Sequence, residues 1–199
     1  PVVEKGGRDA AEDVGATLEY NFDVSGDMAA MAKLIEAAAA TQPDGIIVSL
    51  PDAAALGPAI RAAVDDGVPV VTINSGLEAS AELGALMHVG QPERLAGEKA
   101  GERAAAEGVT NGLCLNQESF NTALVDRCTG YFDGVGGDLN MIDVSNDPTQ
   151  IETRTAAALQ ADESIDGILA VGPHVCEAAT KAIEAVGADV HLACFDLSP

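Results

Sequence analysis

A chain of 199 residues with 47% hydrophobic content can bury a substantial core and suits one large or two small domains, which excludes a disordered chain. Its 10 basic residues stand against 32 acidic ones, a formal net charge of -22, so the clustered cations that a nucleic-acid partner requires are lacking and the acidic surface is read as serving solubility. No apolar run approaches bilayer length and no charged-then-apolar leader is present.

The first stretch, PVVEKGGRDAAEDVGA, reads as a helix already under way, with Val3, Ala10 and Val14 on one face and Gly15 as its stop. Without an initiator Met, it is expected to continue residues further upstream. ATLEYNF then alternates, placing Ala16, Leu18, Tyr20 and Phe22 on one face, as an outer strand does. The next helix carries the stripe Met28, Met31, Leu34, Ile35 and Ala38, with the methionines as core filler. GIIVSL (45–50) is a strand, and a helix striped by Leu56, Ile60, Ala63 and Val64 leads to the strand VPVVTIN (68–74). The alternation breaks at residues 75–92, where an irregular segment and the short run LMHVG precede Pro92. This is read as the crossing between two lobes, residues 1–90 and 91–199.

Beyond it, helices over about 92–107, 121–135, 148–161 and 174–186 end near Gly108, Gly134 and Gly187. They alternate with the strands NGLCLN (111–116), LNMIDV (139–144), DGILAVG (166–172) and VHLACFD (190–196). Strand following helix throughout is the pattern of a parallel α/β sheet, and the continuously apolar strands predict cover on both faces. Cys114, Cys128, Cys176 and Cys194 follow no zinc-ligand spacing, so no metal site is expected. Three pairings are open; Cys114 on a strand and Cys128 on the next helix are placed to bridge, and buried thiols acting as small hydrophobes are the alternative.

Ligands of parallel sheets gather at the carboxyl ends of the strands. Those ends carry Asn74 and Ser75, the run Asn116 to Asn121, then Ser145, Asn146 and Asp147, Gly172, Pro173 and His174, and Asp196. These are groups that exchange hydrogen bonds with a polyhydroxylated molecule. Arg127, on the second turn of its helix, is expected at the margin of the stripe Leu124, Cys128, Tyr131 and Val135, its guanidinium leaning back toward the crevice to hold neighbouring hydroxyl oxygens. An arginine reaching to water or pairing with a nearby acid is the competing reading. Asp196 can accept two hydroxyl donors or cap a following helix, and His174 stands where a general base could. GVGGD (134–138) ends a helix instead of following a strand, so it is not a dinucleotide fingerprint, and no cofactor is expected.

In order, GVPVVTIN, HVGQPERLAGEKAGE, NTALVDRCTGYFDGV, IDGILAVG and ACFDLSP resemble the motifs of the ribose-type, class I sugar-binding proteins of ABC importers, over essentially the whole chain. The resemblance implies two doubly wound lobes joined by a three-segment hinge, with a first strand and the final crossings outside these residues. It implies that Asn74 binds hydroxyls, that Arg127 is the arginine of an R-x-x-G-[FY] motif, and that Asp196 is the aspartate of the F-D motif. Gln91 falls at the first crossing. Ser75 stands where ribose binders carry arginine and Gly172 where they carry an amide, with Glu118 and Asn121 as compensating residues. Tyr131, Phe195 and, less so, Phe120 are the aromatic candidates for stacking on the ligand.

The implied function is capture of a monosaccharide or sugar alcohol for a membrane permease by a monomeric, non-enzymatic protein. Its implied location is periplasmic or extracellular, with a lipid anchor outside these residues as one option. A sugar-sensing effector domain of a lactose-repressor-type regulator is the alternative. An α/β enzyme using His174 or Asp196 as base is the third.

Overall fold

The computed structural model describes residues 2–23 and 26–196. The start of the opening helix at Pro1, and any helix capped by Asp196, lie outside the described residues. In chain order the elements are α1 (Val2–Val14), α2 (Met28–Ala40), β1 (Ile46–Ser49), α3 (Ala53–Asp65), β2 (Val70–Ile73), the single turn α4 (Leu77–Ser80) and β3 (Met87–Val89). They continue as α5 (Glu93–Ala106), β4 (Gly112–Asn116), α6 (Thr122–Val135), β5 (Met141–Asp143), α7 (Pro148–Ala161), β6 (Gly167–Ala170), α8 (Pro173–Val186) and β7 (His191–Cys194).

Two parallel sheets result, one ordered β1-β2-β3 and the other β5-β4-β6-β7. Val48 lies opposite Thr72 in the first, and Leu115 opposite Ala170 in the second. Short polar side chains start the helices by satisfying orphan N–H groups. Asp27 Oδ1 accepts from Ala29 and Ala30 at 2.7 and 3.1 Å, and Asp52 Oδ1 accepts from Ala54 and Ala55, both at 2.9 Å. Asn121 and Asp147 cap α6 and α7 in the same way.

The second sheet is covered on both faces, as its continuously apolar strands require. Leu113, Leu115, Ile168 and Ala170 meet Ile151, Leu159, Val175 and Ala179 of α7 and α8. Cys114, Leu169 and Val171 point the other way, to Leu124, Cys128 and Tyr131 of α6. The first sheet differs. Val48 and Val70 are buried with Leu56 and Ile60 of α3, whereas Ile47, Met87 and Val89 are 64%, 57% and 55% exposed. Among the described residues its other face is open, so the two-sided cover expected of its strands is not seen.

ATLEYNF is not a strand. Alternation makes a strand only where the backbone finds a ladder partner, and residues 16–23 join neither sheet. Leu18 instead leans on α1, 2.9 Å from the place a Cβ would take on Gly7. The face predicted for α1 is also uncovered: Val3 and Val14 stay 55% and 78% exposed. Gly134 lies inside α6, which runs on to Val135 with Gly136 as its cap.

The cysteine pairing left open is resolved as two bridges. Cys114–Cys128 ties β4 to α6 with Cα atoms 5.7 Å apart, and Cys176–Cys194 ties α8 to β7 at 5.6 Å. Among the described residues no cysteine is free. Two disulfides in one short chain fit an oxidising compartment.

What brings α5 and α6 together is a set of glycines. A Cβ on Gly97 or Gly101 would stand 2.0 Å from the carbonyl oxygen of Arg127 or Tyr131, and one on Gly130 or Gly134 would stand 1.9 or 2.2 Å from that of Arg94 or Glu98. The two backbones are therefore in direct contact. The first turn of α5, which carries Glu93, and the second turn of α6, which carries Arg127, are thereby held side by side.

Candidate functional site

The carboxyl ends of strands from both sheets converge on one cavity of about 190 Å³. Asn74 and Ser75, which follow β2, line it from the first sheet. Gln117, Glu118, Asn121 and Arg127 line it from the β4–α6 region, Gly172 and His174 from the β6–α8 junction, and Asp196 from the end of β7. Of the strand-end residues singled out from the sequence, Asn116, Ser145, Asn146 and Asp147 are not in this lining, and Gln91 lines a smaller adjoining crevice with Asn74, Glu78, Glu93 and Asp126. Gln91 instead donates from Nε2 to both carboxylate oxygens of Glu93 at 3.2 Å. The loops of the two sheets also touch directly, where the Thr122 N–H donates to the Pro51 carbonyl at 3.2 Å.

Arg127 is not at a margin. It is 5% exposed, because the close approach of α6 to α5 closes over it. Its Nε and Nη2 donate to Glu93 Oε2 at 2.9 and 2.7 Å, and Nη1 donates to the Val171 carbonyl at 2.8 Å. The Phe195 ring lies under the guanidinium, its centroid 3.5 Å from Cζ. Three of five N–H groups are so engaged, leaving one on each Nη for another acceptor. The two readings of this arginine are thus compatible: it pairs with an acid, and it lines the cavity.

A hydrogen-bonded chain runs around the second sheet's side of the mouth. Asn121 caps α6 with Oδ1, to which the Ala123 N–H donates at 3.2 Å, and donates from Nδ2 to Glu118 Oε2 at 2.9 Å. Asn146 Nδ2 donates to Glu118 Oε1 at 3.3 Å, and Asn146 Oδ1 faces His174 Nε2 at 3.1 Å. A carboxylate only accepts, so the orientation of Asn146 follows and Nε2 of His174 is the donor. Asn74 and Asp196 hold φ of 62° and 65°, the left-handed region that Asn and Asp tolerate best and that clusters at functional sites.

Sequence reasoning missed Glu93, and it named Gln117 only as part of the run Asn116 to Asn121, with no role of its own. Glu93 is the acid at the first turn of α5, within the QPERLAG stretch; a buried arginine in a chain with few cations was the signal that an acid had to be near. Gln117 places an amide beside Gly172: a Cβ there would lie 3.2 Å from Gln117 Nε2, so the glutamine occupies the space that a side chain at 172 would use. Its Oε1 is buried with no hydrogen-bond partner among the described residues.

None of the three aromatic candidates is among the residues that line the cavity. Tyr131 is fully buried, edge-on to Phe132 at 5.5 Å, near Gly112 and Gly167 at the opposite ends of β4 and β6. Burial, then the Asp166 charge, pushes its hydroxyl up to about 12. Phe120 is absent from the lining. Phe195 serves as the platform under Arg127. Burial first, then the charge of Glu78, raises the pKa of the Asp126 carboxyl in the adjoining crevice.

A family model described as a periplasmic binding protein domain matches residues 2–199. No curated protein matches the chain. Among solved structures, a carbohydrate transporter from Acidothermus cellulolyticus 11B in complex with myo-inositol is 37% identical with a TM-score of 0.93, the match covering 99% of this chain and 68% of that one. A solute binding protein of an ABC transporter from Burkholderia graminis C4D1M, in complex with D-arabinose, is 20% identical with a TM-score of 0.88, covering 98% and 71%. A glucose-galactose binding protein from Geobacillus stearothermophilus is 22% identical with a TM-score of 0.85, covering 99% and 72%. The last two likenesses are of fold.

Proposed function

The chain belongs to the periplasmic binding protein domain family, and from that membership we propose that it captures one sugar or sugar alcohol between two lobes, residues 1–90 and 91–199, and presents it to the permease of an ABC importer. The observation that carries this reading is the convergence of polar side chains from separate strand ends of both sheets, Asn74 and Ser75 on one side and Glu118, Arg127, His174 and Asp196 on the other, upon a single cavity. The ligand would lie among Asn74, Ser75, Glu118, Asn121, Arg127, Gly172, His174 and Asp196, with Gln117 added and Gln91 acting from the adjoining crevice through Glu93. A ligand hydroxyl is the donor that the buried Gln117 Oε1 lacks. The myo-inositol bound to the relative at 37% identity makes a cyclic polyol the first ligand to try.

Binding without turnover is the chemistry proposed. His174 Nε2 is committed to Asn146, and among the described residues every cysteine is bridged, so neither His174 nor a thiol stands in this cavity as half of an activated nucleophile pair. Closure of the lobes on the ligand would be a population shift driven by contacts that only the closed form completes, and the hydrogen bond from Thr122 to Pro51 is the candidate for one of them. The protein would work as a monomer in the periplasm or at the cell surface, where its disulfides persist. Calorimetry of the full-length protein against cyclitols, pentoses, hexoses and linear polyols tests the reading: saturable one-to-one heat with at least one is expected, and no heat with any of them would overturn it.

A further inference from the structure

Resting on the polyol reading of this cavity, we infer that Glu93 acts as a charge filter: by neutralising Arg127 from behind, it reserves the site for uncharged polyhydroxylated ligands and turns away those bearing a carboxylate or phosphate. An unaccompanied arginine at the end of a binding cavity would attract such anions, since its planar fork grips carboxylate and phosphate oxygens two at a time. In this protein the Nε–Nη2 edge already donates to Glu93 Oε2 at 2.9 and 2.7 Å, Nη1 donates to the Val171 carbonyl, and Phe195 covers a face. The two side chains are 7% and 8% exposed, so the countercharge comes from Glu93 and not from mobile ions. What remains for the ligand is one N–H on each Nη, a pair of donors with little net charge behind them.

The rest of the lining points the same way. Glu93, Glu118 and Asp196 face the cavity against the single guanidinium, and Glu78 and Asp126 add carboxyls in the adjoining crevice. The buried Gln117 Oε1 is a further acceptor. A hydroxyl donates as well as accepts, so a wall rich in acceptors can satisfy it; a carboxylate or phosphate group accepts only and brings a like charge. Discrimination therefore comes from repulsion built against the wrong ligand as much as from contacts with the right one. The formal charge of -22 on the chain extends the repulsion to the encounter step.

Two matched ligand pairs test this by calorimetry on the full-length protein: myo-inositol with its monophosphate, and glucose with glucuronate. In the wild type, the neutral member of any pair that binds should bind at least about tenfold more tightly, and raising the salt concentration should narrow the gap. Glu93→Gln keeps an oxygen for Arg127 but removes the countercharge, and should shrink the neutral-to-anionic ratio by about tenfold or more. Should that variant fail to fold, Glu118→Gln at the mouth should shift the ratio in the same direction. An anionic ligand binding as tightly as its neutral partner in the wild type, or a ratio unmoved in the variant that folds, would overturn the filter and leave the polyol reading standing. Silence from all four ligands, together with the wider sugar panel, would remove that reading and the filter with it.

Discussion

Replacing Arg127 with alanine is expected to lower the free energy of unfolding by about 3–5 kcal/mol, the cost of stranding one member of a buried ion pair. From the sequence, with Arg127 at the margin of a helix stripe, the same change should only weaken ligand binding, by about 1.5–3 kcal/mol for hydrogen bonds to a charged group, and leave the fold nearly intact. The pairing with Glu93, and the 7% and 8% exposure of the two side chains, reverse that expectation. Without the guanidinium, Glu93 keeps only its contact with Gln91 in a region too buried to hydrate it, and the Val171 carbonyl loses its donor. Urea unfolding monitored by circular dichroism measures the loss. The double variant Arg127→Met, Glu93→Leu should recover most of the stability, because removing both charges together strands neither. It should recover no ligand affinity. A single variant as stable as the wild type would show that the pair contributes nothing to the fold.

The second large effect is expected at Gly130. An alanine methyl there would lie 1.9 Å from the Arg94 carbonyl oxygen and 2.9 Å from the Glu98 nitrogen, both backbone atoms of α5 that no rotamer change can move. The helices must separate, at a cost of about 3 kcal/mol or more. Separation also pulls Glu93 away from Arg127, so Gly130→Ala should lose ligand affinity although it touches no ligand. Gly6→Ala is the control. It sits in α1 with nothing within 4 Å of the added methyl, and should be neutral or stabilising by up to about 1 kcal/mol. Equal stability of the two variants would mean that α5 and α6 are not held backbone to backbone.

These two cases show where the sequence was legible and where it was not. Local apolar periodicity placed β1, β2 and the strands and helices of the second sheet, because burial of one face is written into each segment separately. ATLEYNF misled because a strand exists only through a neighbour, and a neighbour is not a local property. The strand ends were readable as a set of polar residues, and the side chains around the cavity are largely that set. Their arrangement was not readable: the Glu93–Arg127 pair joins residues 34 positions apart, and Gln117 fills the space beside Gly172 from another strand end. The glycines at 97, 101, 130 and 134 stand in plain view at helical spacing, yet only the facing helix shows why they cannot be larger.

The most direct measurement is a crystal structure of the full-length protein grown with a saturating polyol such as myo-inositol. The account predicts density for one ligand between the two sheets, within hydrogen-bonding distance of Asn74 from the first and of Arg127 and Asp196 from the second, with Glu93 still paired to Arg127. Ligand bound to one sheet alone, or lying outside the cavity that Asn74, Arg127 and Asp196 share, would contradict it.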